Sequence, residues 1–106
     1  MPMNPELKSA WIADLRANGD LQGQVYLHSA DGKFCCLGRA RVVAGMKWGE
    51  LSFGIAYMAG NNQTTMLCRT EMIEIGITTE EHQKLADMND TGKTFAEIAN
   101  WIEENL

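Results

Sequence analysis

The residues best placed to do chemistry fall in and around Lys33–Ala44, KFCCLGRARVVA. Cys35 and Cys36 are adjacent, His28 precedes them, and Arg39 and Arg41 follow. A thiolate at a helix N-terminus is one reading. The helix dipole and a cation such as Lys33 or Arg39 would lower the pKa of Cys35 and make it a nucleophile. With His28 as base, that gives a small cysteine-dependent hydrolase or transferase. The plainer reading takes both thiols as small core hydrophobes, because free cysteine is among the most buried residue types. We rank the plainer reading first, since the sequence fixes no base beside the thiol. No catalytic residue is assigned, and the chain leans away from being an enzyme.

Anion binding is the other chemistry on offer. Residues 21–70 hold Lys33, Arg39, Arg41, Lys47 and Arg69 against Asp31 and Glu50, a net +3. Trp48, Phe53 and Tyr57 are interleaved with these cations, and such a mixture can stack on and neutralise a nucleotide-like ligand. The candidate ligand-binding set is His28, Lys33, Arg39, Arg41, Trp48 and Arg69. Its competitor is a set of aromatic core residues with solvated charges, and an ordinary exposed strand residue at His28. No cofactor is expected. No metal site is expected either: Cys35, Cys36, Cys68, His28 and His82 lack C-x-x-C spacing, and adjacent cysteines seldom ligate one ion.

The elements that must position these groups follow from periodicity. With Cys35 onward taken as a helix, Cys36, Leu37, Ala40, Val43 and Ala44 share one arc of about 120°. Cys35 then sits at the boundary, and Arg39 and Arg41 lie off the arc on opposite sides. Gly38 costs this helix about 1 kcal/mol relative to alanine, which a close backbone approach by another element or a ligand would explain. Before it, Gln24–His28 and Lys33–Cys35 read as strands joined by an Asp31-Gly32 turn.

Elsewhere the pattern is helical. Asn4-Pro5-Glu6 starts a helix that runs to about Asn18, with Trp11 as a core anchor. Leu51–Met58 and Thr64–Cys68 read as a second hairpin across Gly60-Asn61-Asn62. Thr70–Ile75 is a short helix stopped by Gly76. Thr79-Glu80-Glu81 opens the next, ended by Gly92. Thr94 and Glu97 form a capping box ahead of a last amphipathic helix. The expected class is α+β: one domain over 1–106, with four to five short helices around one or two small antiparallel hairpins.

Composition narrows the function. Net charge is −5, and residues 71–106 hold Lys84 and Lys93 against nine carboxylates, a net −7. That acidity, with no recognition helix after the EIA segment, opposes DNA binding. No apolar run reaches membrane-spanning length. An odd count of three cysteines with no apolar leader points to a reducing, cytoplasmic location.

Three stretches carry a resemblance: NPELKSAWIADLRANG, the FCCLG after a DGK turn, and LADMNDTGKTFAEIANWIEENL. Together they resemble a group of small, mostly uncharacterised phage and prophage proteins. After CCLG the group continues with apolar residues, a further cysteine and an aspartate, whereas Arg39, Arg41 and Val42 stand here. The resemblance implies a cytoplasmic accessory protein that neutralises a host or defence component by stoichiometric binding. It would do so as a protein inhibitor working through its acidic C-terminal helices, or as an oligomeric sponge for a signalling nucleotide. A structural or virion-assembly role is the further alternative.

Overall fold

The computed structural model describes residues 3–106. In chain order the elements are α1 (Pro5–Ala17), α2 (Cys36–Val43), β1 (Leu51–Ser52), β2 (Ala56–Tyr57), α3 (Arg69–Ile75), α4 (Thr79–Asp90) and α5 (Phe95–Asn105). Single 3-10 turns stand at Gly19–Leu21 and Gly60–Asn62. The class is α+β, five helices with one antiparallel hairpin among the described residues.

Capping chemistry sets the helix ends. Asn4 Oδ1 accepts from the backbone N–H groups of Glu6 (2.9 Å) and Leu7 (3.2 Å), which have no partner within α1. Thr78 with Glu81 and Thr94 with Glu97 form reciprocal capping boxes on α4 and α5. Gly76, at φ 92°, ends α3 in the left-handed region that glycine enters without a Cβ penalty.

The core lies where α1 packs on α2 and α5, and α4 on α2 and α5. Trp11, Leu15, Leu37, Leu85, Phe95, Ile98 and Ile102 are buried there. Each contributes about 1.5–3 kcal/mol by leaving water. Trp11 is the expected anchor, and its indole Nε1–H donates to the Cys36 carbonyl at 3.0 Å. No described helix is long and apolar enough to cross a membrane.

Two strand expectations are corrected. Gln24–His28 forms no ladder with Lys33–Cys35; one bridge, His28 to Phe34, survives beside the Asp31-Gly32 turn. Tyr26 C=O still accepts from Cys35 N–H, but other backbone groups of this segment go elsewhere: Leu27 N–H donates to the Thr64 carbonyl, and His28 C=O accepts from Tyr57 N–H. The second hairpin is also displaced. Leu51 pairs with Tyr57 and Ser52 with Ala56, so the connecting loop is residues 53–55 and not Gly60–Asn62. Thr64–Cys68 pairs with no strand because other elements hold it, Leu27 at one end and His82 at the other.

His82 is 5 % exposed, and its Nε2 accepts the Leu67 backbone N–H at 3.0 Å. An acceptor nitrogen must be unprotonated, and burial lowers the pKa of this imidazole below 6.5. The folded protein therefore resists a proton that the unfolded chain takes up. Stability is full above the ordinary histidine pKa and is lost as pH falls through and below it. His28, lowered by burial and then by Arg39, adds a change of the same sign. We expect a lower urea midpoint at about pH 5.5 than at about pH 7.5, either side of the imidazole range. The gap should shrink in His82→Gln, whose amide oxygen can accept the same N–H without titrating. An undiminished gap would show that His82 does not carry the effect.

Candidate functional site

The cationic candidates converge only in part. Arg39 and Arg41 are 8 % and 3 % exposed, which corrects their expected place off the buried face. Helix α2 is covered on both flanks, and each flank supplies a carboxylate. Arg39 donates through Nε and Nη2 to both oxygens of Asp14 on α1, at 2.8 and 2.6 Å. Arg41 donates through Nε to Glu71 on α3 at 2.7 Å and through Nη2 to the Lys47 carbonyl at 2.8 Å. Burial alone pushes the Glu71 carboxyl up; the Cys68 N–H and then Arg41 outweigh it and hold the carboxyl below its ordinary range.

Both guanidinium groups also stack on rings. Arg39 lies 4.7 Å from the centroid of Phe34, and Arg41 4.3 Å from that of Trp48. His28 stacks on Phe34 (4.1 Å) and Tyr57 (4.3 Å) and meets the edge of Trp48 (4.9 Å). Three of the candidates named with Trp48 therefore join it in one cluster: His28, Arg39 and Arg41. The cluster ties α2 to the loop before it and to the hairpin after it. Its cations are already matched by protein carboxylates. Among the described residues, Arg41 Nη1 and His28 Nδ1 are buried without a hydrogen-bond partner, and both groups pack against Trp48. Lys33 and Arg69 stand apart from this cluster. Lys33 Nζ donates to the Asp20 carbonyl at 2.6 Å, and Arg69 is exposed at the start of α3.

The cysteines take the plainer role. Cys35 does not sit at the edge of the buried arc; it is the N-cap residue of α2 and is 4 % exposed. Burial pushes its thiol up to about 11, and that of Cys36 well above its ordinary value. No hydrogen bond joins Cys35 to His28 among the described residues, and His28 Nδ1 has no partner. The thiol–imidazole pair needed for nucleophilic chemistry is not formed.

Gly38 explains its place by the close approach its position suggested. A Cβ there would stand 1.7 Å from the Leu27 carbonyl oxygen, so the loop backbone lies directly on α2. Asn89 secures the same junction. Fully buried on α4, it accepts from the Cys36 N–H (3.1 Å) and from Gln22 (3.2 Å), and donates to the Gly23 carbonyl (2.8 Å). It supplies the start of α2 with an acceptor that the side chain of Cys35 does not provide.

What this scaffold presents outward is the hairpin. Phe53 and Gly54 have φ of 49° and 71°, and Ile55 N–H donates to the Ser52 carbonyl at 2.9 Å. Positive φ at both central residues is the mark of a type I′ turn, which favours Asn, Asp or Gly at the first. Here a phenylalanine occupies that position and is 96 % exposed. Leu51 and Ile55 flank it at 42 % and 50 %. Tyr26, Phe53, Ile55 and Thr64 line a shallow cleft of about 280 Å³ beside the turn. Val25, next to Tyr26, is also exposed and has φ 73°, a rare conformation for a β-branched residue; its N–H is held by Asp90 at 2.9 Å. Backbone strain of this kind gathers where side chains are held for use.

The sequence carried a signal for this face that attention to cations passes over. Residues 51–68 contain no Asp, Glu, Lys, Arg or His, in a chain that is 22 % charged. Loss of charge with retention of exposed aromatic and aliphatic groups is the composition of an interface centre. In the comparisons with known proteins, no family model, no curated protein and no solved structure matches this chain.

Proposed function

We propose that this protein acts by stoichiometric binding, as a phage-type accessory protein that neutralises a host or defence protein. The contact is the uncharged hairpin face. The observation that carries this reading is Phe53, a large aromatic side chain almost wholly in water at a turn position that disfavours it. Aromatic side chains at the centre of an uncharged patch are the usual anchors of protein–protein contacts. The protein-inhibitor form is favoured over the nucleotide sponge, because Arg39 and Arg41 already face Asp14 and Glu71.

Native mass spectrometry of the protein expressed in a bacterial host separates the readings. A single polypeptide retained at one-to-one stoichiometry supports the inhibitor. A retained mass of nucleotide size overturns it in favour of the sponge. Self-association with nothing else bound overturns it in favour of an assembly role.

A further inference from the structure

We propose that a groove between the start of α1 and the end of α3 docks a basic, amphipathic segment of a protein partner. This surface is separate from the hairpin face. Two concavities of about 440 and 500 Å³ share Asn4 and Glu74 in their walls. Leu7, Val43 and Met46 line the first; Ile73 and Ile77 line the second. Ile73 is 69 % exposed, so the second lobe presents a large branched side chain to water.

The charges say what covers it. Glu6 and Glu74 stand in the walls, and neither forms an ion pair among the described residues. Glu74 lies in the last turn of α3, where the negative end of the helix dipole disfavours a carboxylate. That turn holds no basic residue to offset it. Helix α2 also ends beside this groove, at Val43, with its Ala40, Arg41 and Val42 carbonyls already accepting from Ala44, Met46 and Gly45 N–H groups. The N-terminus of α1 has the opposite sign, but Glu6 sits in its first turn. A groove with a predominantly apolar second lobe and two unpaired carboxylates in its walls fits a segment carrying aliphatic groups and Lys or Arg at helical spacing. An anionic lipid surface or a nucleic acid would be repelled.

The test titrates the isotope-labelled full chain with a synthetic leucine–lysine amphipathic peptide of about four helical turns. A leucine–glutamate peptide of the same pattern is the control. Amide shifts should map to Leu7, Val43, Ile73 and Ile77 with the lysine peptide and be absent with the glutamate peptide. Glu74 is exposed, so Glu74→Lys should fold normally, which its unfolding midpoint checks. Glu74→Lys should bind about tenfold or more weakly, the scale of one lost charge-assisted contact. Glu104→Lys makes the same charge change on α5 and should leave binding within about twofold, as expected for a remote exposed charge. Absence of binding overturns the proposal. So do shifts confined to α4 and α5, or equal weakening by both variants, which would report overall charge alone.

Discussion

Gly38→Ala is expected to destabilise the fold by about 3 kcal/mol or more, the upper range for forcing volume into a packed site. On propensity alone the same change would stabilise a helix by about 1 kcal/mol. The sign is reversed because the new methyl would stand 1.7 Å from the Leu27 carbonyl oxygen and 2.6 Å from its carbon. Backbone cannot rotate aside as a side chain can. Either α2 or the loop through Leu27 must lift, and with it the bond from Leu27 N–H to Thr64. Domains of this size have about 5–15 kcal/mol of stability, so the loss is a large share. The midpoint of urea unfolding measures it. A variant as stable as the parent would show that the loop does not lie on α2.

Glu71→Gln is the second large effect. The carboxylate accepts from Arg41, the Cys68 N–H and the Gly60 N–H, so one side chain joins α2, α3 and the turn before α3. The amide keeps one acceptor oxygen and removes the counter-charge of a buried guanidinium. Breaking a buried pair from one side costs about 3–5 kcal/mol, and retained hydrogen bonds place this variant near the lower end. The sign with pH follows from the lowered carboxyl. Its stabilisation is present above the ordinary carboxylate range and is lost as pH falls through and below that range. Glu71→Gln should therefore lose that part of the acid limb as well as stability at neutral pH. Replacing both partners, Arg41→Met with Glu71→Leu, should recover much of the loss, because no charge is left unpaired. A single variant within about 0.5 kcal/mol of the parent would mean the pair is screened like a surface one.

The sequence makes the helical part of the fold legible for local reasons. Asn4-Pro5, Thr94 with Glu97, and Gly76 act within one turn of chain, and each marks a helix end where expected. The segments before and after α2 depend on distant partners. Gln24–His28 has strand-forming residues, yet Leu27 spends its two backbone groups on Thr64 and on contact with Gly38. The burial of the arginines is hidden in the sequence for a related reason. A helical wheel shows one apolar arc but not that Asp14 and Glu71 would approach from both sides. Asn89 carries no local sign at all, since its partners at Gly23 and Cys36 lie far away in the chain. Gly38 was readable because a helix-weakening residue inside a helix asks for a steric reason. The hairpin face had a sign of its own, the missing charges of residues 51–68, which the cation pattern overshadows.

The most direct test of the binding account is Phe53→Asn, read for stability and for partner retention on the same preparation. Asparagine suits the left-handed turn position, so urea unfolding should show equal or greater stability, by up to about 1 kcal/mol. Loss of a central aromatic anchor should weaken the one-to-one complex by about 30-fold or more. A stable variant that no longer retains its partner is the predicted result. A variant that retains the partner with unchanged affinity would contradict the account and move the contact away from the hairpin.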